Sequence, residues 1–293
     1  MSKLLAVLLC AAGCGEVVDS AAPFADLSAT PGRAEYTFAH EGIERRFQIY
    51  IPADHVDGRP LVLVLHGGGG SASQMFRRHP LETEADARGL VIVAAQGTST
   101  TSDTSFEWNN QALLDDGVDD VGYLEEVITG VTAELGIDEH RRYLAGFSGG
   151  ASMSIRFAAE KSEYIAAIAT FAGKVGISIA GAPFAFPPVP TTPLSVQLTY
   201  GTEDPNYEGE IKDGARSTSG REGIDWWAAS LDCATTPATT VASPITSDTF
   251  ACPSGVVRMN TVQGMPHMWP ETPADPLAGT AHLLDFLVEH KKP

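Results

Sequence analysis

Apolar residues along the chain form two kinds of pattern. Apolar and polar residues alternate at 36–38 and 46–51, on either side of a turn at Glu41-Gly42. This alternation predicts an antiparallel hairpin with one buried face, at the edge of a sheet. Continuous apolar runs instead favour strands that are buried on both faces, as in a parallel sheet. Such runs occur at 61–65, 90–95, 143–145, 165–171 and 194–200.

Segments with a helical spacing of apolar residues separate these runs. They predict helices at 75–87, from Asp119 to 128, and at 151–159, 224–231 and 281–289. Strands that alternate with helices predict an α/β fold, with a mostly parallel sheet, helices on both faces and an antiparallel N-terminal hairpin. The Pro-rich segment 176–193 is predicted to be an irregular loop. Because we find no internal repeat, residues 34–293 are predicted to form one domain.

The charge of the chain narrows the choice of partners. Its 293 residues carry a net charge of −18. Nucleic acids and anionic membrane surfaces would repel such a chain, so neither is expected as the main partner.

The N-terminus has the composition of an export signal. Lys3 precedes an apolar run that is too short to span a bilayer, and small residues follow it. Residues 1–13 are therefore predicted to be a signal peptide, and 14–33, small and polar, a tether. Residues 11–14 also resemble a bacterial lipobox, which predicts lipidation of Cys14 and a cell-envelope lipoprotein held to the membrane by that anchor alone. A plain signal peptide and secretion are the alternative.

The number of cysteines is consistent with export. If Cys10 leaves with the signal peptide and Cys14 is acylated, Cys233 and Cys252 remain. An even pair in an oxidising compartment predicts a disulfide, and two unpaired thiols are the alternative.

A nucleophile motif lies in the turn Gly146-Phe147-Ser148-Gly149-Gly150. An apolar run precedes this Gly-x-Ser-x-Gly pattern and a helical segment follows it. That context is typical of a nucleophile elbow, in which a sharp strand-to-helix turn presents the serine. A serine hydroxyl is a poor nucleophile at neutral pH, so it needs a base, and the base needs a group that fixes its tautomer.

The order of the strands limits the candidates for these two roles. Sites in open α/β sheets lie at the carboxyl ends of strands. Asp204 follows the strand at 194–200, and His267 follows a predicted hairpin-like pair of segments at 249–261, which gives the order Ser148, Asp204, His267. Glu203 competes with Asp204 as the acid. The remaining histidines either precede the elbow or lie on or beside the terminal helix.

A glycine-rich loop, His66-Gly67-Gly68-Gly69-Gly70, follows the strand at 61–65. Glycines leave backbone amides free to face an oxyanion, although a flexible linker is the alternative. His66 is expected to shape this loop through a hydrogen bond. The aspartates between 115 and 120 lack the spacing of a calcium loop, so helix capping is the preferred interpretation.

Several of these segments together carry a family resemblance: 65–69, 119–124, 146–150, 201–205, Asp232-Cys233 and His267-Met268-Trp269-Pro270. They resemble the polyhydroxybutyrate depolymerase-like esterases, a family that includes secreted feruloyl and acetylxylan esterases. The resemblance covers nearly all of the chain from 34 to 289. It implies an α/β-hydrolase fold with Ser148 as nucleophile, His267 as base and Asp204 as orienting acid. It also implies a disulfide between Cys233 and Cys252 near the loop of His267.

The function implied by this resemblance is that of a secreted serine esterase working through an acyl-enzyme. Its substrates would be hydroxyalkanoate oligomers or feruloyl and acetyl esters of the plant wall. The amides of Gly149, Gly67 and Gly68 would hold the oxyanion. Trp108 and Trp269 are candidate substrate-binding walls for an acyl or sugar group, with core packing as the alternative.

Other interpretations remain open. A serine peptidase on the same fold and a surface-anchored binding protein without turnover are the alternatives. We expect no metal or organic cofactor, because the sequence has neither a His-Glu-x-x-His motif nor a dinucleotide fingerprint.

Overall fold

A computed structural model describes residue 24 and residues 26–99, 104–110, 117–212 and 214–293. The predicted signal peptide, Cys14 and most of the predicted tether lie outside the described residues. The strands are β1 (Gly32–His40), β2 (Ile43–Ile51), β3 (Leu61–Leu65), β4 (Val91–Ala95), β5 (Arg142–Phe147), β6 (Ala167–Phe171), β7 (Ile177–Ile179), β8 (Ser195–Gly201), β9 (Ile211–Lys212), β10 (Ala215–Ser217), β11 (Ala238–Ala242), β12 (Ile245–Ala251) and β13 (Val256–Val262).

The helices lie between these strands in the chain. They are α1 (Ala72–Arg78), α2 (Leu81–Arg88), α3 (Asp120–Leu135), α4 (Gly149–Glu160), α5 (Pro205–Glu208), α6 (Gly220–Ser230) and α7 (Gly279–Val288), with a 3-10 turn at Ser162–Tyr164. None of the helices in the described part of the chain combines the length and the apolarity that crossing a membrane requires.

Ten strands form the main sheet, in the order β1-β2-β4-β3-β5-β6-β8-β13-β12-β11. The six strands from β4 to β13 pair in parallel, and antiparallel strands flank them on both sides. This sheet confirms the predicted fold class, including the antiparallel N-terminal hairpin β1-β2. Because parallel strands share one carboxyl edge, the loops after β3, β5, β6, β8 and β13 meet there.

Both faces of the sheet are covered, which explains the continuous apolar runs. Along β3, Leu61, Leu63 and Leu65 face a core that includes residues of α3, α4 and α6. Val62 and Val64 face the opposite core, which includes residues of α1, α2 and α7. Every position of the strand is therefore buried, as the sequence predicts.

The structure corrects two predicted elements. The helix predicted at 75–87 is two helices, α1 and α2, because Pro80 holds the preceding residue, His79, in an extended conformation (φ −122°, ψ 144°). The segment 176–193, predicted to be irregular, contains β7, which pairs with β10 in a separate three-stranded sheet. The predicted cap of α3 is confirmed, since the Asp119 side chain accepts a hydrogen bond from the amide of Gly122.

The N-terminal edge of the described chain packs on the core. Strand β1 begins at Gly32, and the Phe24 side chain is 6% exposed and stacks against Phe38 and Phe47. Residues before the predicted domain start at 34 therefore contribute apolar contacts.

Candidate active site

The turn between β5 and α4 holds Ser148 in a strained conformation. Strand β5 ends at Phe147 and α4 begins at Gly149. Ser148 lies between them with φ +53° and ψ −115°, values that residues with a side chain rarely adopt. Its amide donates a hydrogen bond to the carbonyl oxygen of Phe171, at the end of β6, over 2.9 Å. This is the geometry that the Gly-x-Ser-x-Gly pattern predicts.

Close backbone contacts require the glycines on either side of Ser148. A Cβ added to Gly146 would lie 2.5 Å from the carbonyl oxygen of Gly150. A Cβ on Gly150 would overlap the carbonyl oxygens of Leu65 and His66. Since Cβ atoms essentially never approach other atoms within 3.0 Å, only glycine lets α4 start directly against the end of β3.

Neighbouring strands bring Asp204 and His267 to the same edge. Strands β8 and β13 pair in parallel, with Gly201 opposite Val262. The structure places His267 Nε2 2.9 Å from Ser148 Oγ. His267 Nδ1 lies 2.9 Å from Asp204 Oδ1 and 3.0 Å from Asp204 Oδ2. The three residues predicted from the sequence therefore form one hydrogen-bonded row.

The row has a buried end and an open end. Asp204 is 3% exposed, and its Oδ1 also accepts a hydrogen bond from the amide of Asn206 over 2.8 Å. A carboxylate fixed in this way accepts the Nδ1 proton of His267 and leaves the Nε2 lone pair facing Ser148. Glu203 is exposed, and the imidazole of His267 bonds to Asp204.

A buried histidine shapes the glycine-rich loop. His66 Nδ1 donates to the carbonyl oxygen of Gly67 over 2.8 Å, and His66 Nε2 accepts from the amide of Gly97 over 3.1 Å. Burial lowers the pKa of His66 to about 4, so the imidazole is neutral at neutral pH and can play both roles. The hydrogen bond expected of His66 is thus present.

Two backbone amides face the space beside Ser148. A Cβ on Gly149 would lie 3.1 Å from the amide nitrogen of Gly68, so the two glycines are in close contact. Within the described residues, neither amide donates a hydrogen bond, whereas Gly69 and Gly70 donate to the carbonyl oxygens of Phe106 and Gly67. The amides of Gly68 and Gly149 are therefore available to a ligand.

The two tryptophans proposed as walls have different positions. Trp108 is 5% exposed, and its indole donates to the carbonyl oxygen of His66 beneath the loop. This contact favours core packing for Trp108, which the sequence left open as the alternative to a substrate-binding wall. Trp269 is 8% exposed, but it borders a cavity beside His267.

Two cavities lie beside the hydrogen-bonded row of Ser148, His267 and Asp204. The first, of about 580 Å³, is lined by residues that include Ser148, Glu107, Asn110, Lys174, Glu210 and Lys212. The second, of about 550 Å³, lies on the other side of the glycine-rich loop and is bordered by Gln74, Arg78, Met268 and Trp269. Gly68 and His267 border both cavities, so the two cavities adjoin beside Ser148.

Charged and polar side chains line part of the first cavity, which sequence reasoning did not predict. Lys174 and Glu210 form an ion pair over 2.5 Å, and the hydrogen bond from Lys174 lowers the pKa of Glu210. The side-chain amide of Asn110 donates to the carbonyl oxygen of Gly149 over 3.2 Å. These residues belong to separate loops and short strands, so no spacing in the sequence indicates that they share a cavity.

A disulfide joins Cys233 to Cys252, as predicted. Its position differs from the one implied by the resemblance. Cys252 precedes β13, whereas His267 follows the other end of that strand. Seven residues of β13 separate the two ends, roughly 20 Å at the usual rise per residue. The bridge therefore fastens α6 to the amino end of β13, far from the loop of His267.

Comparison with known proteins identifies relatives of the chain and of its fold. A family model described as "Alpha/beta hydrolase family" matches residues 61–290. The chain is 36% identical over 152 residues to "Putative esterase NocK" of Nocardia uniformis subsp. tsuyamanensis, covering 51% of this chain and 41% of that protein. It is 30% identical over 140 residues to feruloyl esterase B of Thermothelomyces thermophilus, covering 47% of each. The chain thus spans less than half the length of these relatives.

A solved structure shows the same fold. The acetyl xylan esterase of Aspergillus awamori superposes with a TM-score of 0.64 at 15% identity, covering 87% of this chain and 99% of that one. The expected resemblance is thereby confirmed for the α/β-hydrolase fold and for esterase relatives. The narrower likeness to polyhydroxybutyrate depolymerases stays a prediction.

Proposed function

The chain belongs to the alpha/beta hydrolase family, and from that premise we propose that it is a serine esterase, which cleaves carboxylic esters through an acyl-enzyme. The observation that carries the proposal is the hydrogen-bonded row. Ser148 Oγ, His267 and Asp204 are linked by contacts of 2.9 Å, and Ser148 occupies the strained elbow. A nucleophile, its base and an orienting acid are the parts that acyl transfer requires.

In the first half of the reaction, Ser148 Oγ attacks the ester carbonyl while His267 Nε2 takes its proton. Asp204 stabilises the imidazolium that results, because its carboxylate is buried and already aligned with Nδ1. The imidazolium then gives its proton to the departing alcohol, and the acyl group stays on Ser148. In the second half, His267 activates a water molecule, which releases the acid and restores the serine.

The amides of Gly68 and Gly149 are the proposed oxyanion donors, and Gly67 contributes the turn that presents Gly68. Both amides lie beside Ser148 without a partner in the described part of the chain. Donors of this kind lower the barrier by about 3 kcal/mol each when they meet the developing negative charge. The buried hydrogen bonds of His66 keep the loop in place before substrate arrives.

The lining of the first cavity bears on the substrate. Glu107, Asn110, Lys174, Glu210 and Lys212 offer many hydrogen-bonding groups, beside apolar surface from residues such as Ile177 and Pro205. Hydroxyl groups of a sugar would satisfy such a lining, whereas a long alkyl chain would leave charged groups desolvated without partners. We therefore place feruloyl or acetyl esters of carbohydrates first among the substrates. Hydroxyalkanoate oligomers come second.

The proposal includes export. Residues 1–13 would be removed and Cys14 would become the acylated first residue, or the chain would be secreted without lipid. Mass spectrometry of the mature N-terminus distinguishes the two forms, because acylation adds the mass of the lipid chains to Cys14.

Hydrolysis by the purified protein tests the proposal. The panel contains p-nitrophenyl acetate, methyl ferulate, acetylated xylan and hydroxybutyrate oligomers, each with wild type and with Ser148→Ala. Activity of the wild type that disappears in Ser148→Ala supports the proposal, and labelling by a fluorophosphonate should follow the same pattern. A folded wild type that neither hydrolyses the panel nor reacts with the probe would overturn it in favour of a binding protein.

A further inference from the structure

A carboxylate in the loop that carries His267 connects this loop to a helix. Glu271 Oε1 accepts a hydrogen bond from Trp269 Nε1 over 2.9 Å and from the amide of Thr280 over 2.6 Å. The hydroxyl of Thr280 donates to the same oxygen. Thr280 is in the first turn of α7, where backbone amides attract negative charge. Glu271 thus ties the indole of Trp269, two residues after His267, to the start of a core helix.

Backbone contacts also hold the loop of Trp269 against the start of α7. The amide of Gly279 donates to the carbonyl oxygen of Pro270 over 2.7 Å. A Cβ on Gly279 would lie 2.8 Å from Trp269 Cδ1. Little room exists for the indole to shift while α7 stays in place.

The ring of Trp269 links the base loop to the nucleophile. Its centroid lies 4.5 Å from that of His79 on one side and 5.8 Å from that of Phe171 on the other. Phe171 is the residue whose carbonyl oxygen accepts the amide hydrogen of Ser148. A displacement of Trp269 would therefore change the loop of His267 relative to the elbow of Ser148.

The charge of Glu271 suits this role. Its side chain is 12% exposed, and burial alone would raise its pKa. The nearby imidazole of His79 and the hydrogen bonds from Thr280 outweigh burial and hold the pKa of Glu271 below its usual value. His79 Nδ1 lies 3.5 Å from the carboxylate, which is longer than a good hydrogen bond. Glu271 is thus an acceptor for several donors, and a neutral amide cannot fully replace it.

We propose that Glu271 is a positioning residue, which acts through Trp269 to keep His267 within hydrogen-bonding reach of Ser148. The inference rests on the proposed function. A purely structural cap on α7 would lower stability when removed but would leave turnover of the folded protein unchanged. A positioning residue lowers turnover in protein that is still folded.

The test compares Glu271→Gln, Trp269→Phe and the double variant with wild type. Glu289→Gln, at the exposed end of the same helix, is the matched control because it removes a carboxylate without touching the loop. The measurements are kcat and KM on p-nitrophenyl acetate and the rate at which a fluorophosphonate labels Ser148. Unfolding in urea establishes which variants are folded.

We expect Glu271→Gln and Trp269→Phe each to lower kcat by about 10- to 100-fold, the range that small misplacements of reacting groups produce, with KM within about two-fold of wild type. The labelling rate should fall in parallel. The double variant should be no worse than the poorer single variant, because both changes break one link. Glu289→Gln should match wild type.

Other outcomes overturn the inference. A folded Glu271→Gln with wild-type kcat and labelling rate would do so, and so would single effects that multiply in the double variant. If Glu271→Gln does not fold, Trp269→Phe is judged by the same criteria. An inactive, unlabelled wild type would instead refute the proposed function, which separates the two failures.

Discussion

Arg45 and Asp120 form an ion pair that is almost completely removed from water. Arg45 Nη2 lies 2.5 Å from Asp120 Oδ1, and the two side chains are 1% and 0% exposed. The guanidinium also lies 3.7 Å from the ring centroid of Tyr123, and Asp120 Oδ2 accepts the amide hydrogen of Asn109 over 2.7 Å. The pair thus connects the N-terminal hairpin, α3 and the segment that leads to Asn110 beside Gly149.

Removing one member of this pair should be costly. Asp120→Asn leaves the Arg45 charge buried without its counter-ion, so we expect the free energy of unfolding to fall by about 3 to 5 kcal/mol. Asp119→Asn is the control, because Asp119 caps the helix, where Asn caps about equally well, and its other contact is with the partly exposed His40 over 3.3 Å. Urea unfolding monitored by circular dichroism measures both. Equal effects of the two substitutions would contradict the buried-pair interpretation.

The strained backbone at Ser148 predicts a stability gain when function is removed. Ser148→Gly should relieve the positive φ and raise the free energy of unfolding by about 1 kcal/mol. Ser148→Ala keeps a Cβ at the same φ and should leave stability near that of wild type. Both variants should lack turnover. Thermal unfolding of the three proteins checks the order, and Ser148→Gly no more stable than Ser148→Ala would show that the turn stores no strain.

A buried histidine outside the active site predicts an acid-sensitive fold. Burial lowers the pKa of His282 to about 4, with a further lowering by the charge of Arg258 and an opposing effect of Asp285. Its Nε2 lies 3.1 Å from Asn260 Nδ2, which fits a neutral acceptor. In the unfolded chain the pKa returns to about 6.5, so the unfolded state binds more protons between these values.

The free energy of unfolding should therefore be fully maintained above pH 6.5 and should fall as the pH drops towards 4, by about 3 kcal/mol for this group. His282→Gln should weaken the dependence of the free energy of unfolding on pH by the contribution of one proton. His140→Gln, at an exposed position, is the control. Urea unfolding at several pH values measures the slopes, and parallel curves for all three proteins would exclude His282 as the source.

The disulfide should contribute to stability without affecting the chemistry. Cys233 and Cys252 are 19 residues apart, so the bridge should add about 3 kcal/mol by restricting the unfolded chain. Cys233→Ser with Cys252→Ser should lose that amount yet keep wild-type kcat at 25 °C, since the bridge lies at the far end of β13 from His267. Reduced wild type is the control. A large loss of kcat in the folded double variant would show coupling to the site.

The sequence predicts the structure best where a pattern of apolar residues or glycines follows directly from burial or from close backbone contacts. Runs such as 61–65 are apolar because both faces of β3 are covered, and the glycines around Ser148 are forced by backbone contacts. Asp204 and His267 could be selected because their strands end at a shared edge. The same reasoning could not find Lys174 or Asn110, since each acquires its partner only when distant segments fold together. Glu271 has partners nearby in the chain, but it lies in a loop where no periodicity indicates them.

The shortest strands could not be predicted from the sequence either. Strand β7 has three residues and β9 has two, too few for any periodicity, so the separate sheet that carries Lys212 was predicted as loop or not at all. The break at Pro80 was missed because helical spacing continues on both sides of it.

The contact between Gly149 and Gly68 predicts that a substitution here lowers catalysis and changes stability only slightly. Gly149 is the first residue of α4, where alanine is a better helix former than glycine, so Gly149→Ala should not destabilise the fold by more than about 1 kcal/mol. The new Cβ would lie 3.1 Å from the amide nitrogen of Gly68 and would push the two proposed oxyanion donors apart. Loss of one donor costs about 10²- to 10³-fold in kcat, so we expect a decrease of that size with KM little changed. Labelling by a fluorophosphonate should slow as well, because the probe also develops negative charge on oxygen as Ser148 attacks it. Wild-type kcat in Gly149→Ala would mean that the oxyanion is held by other groups.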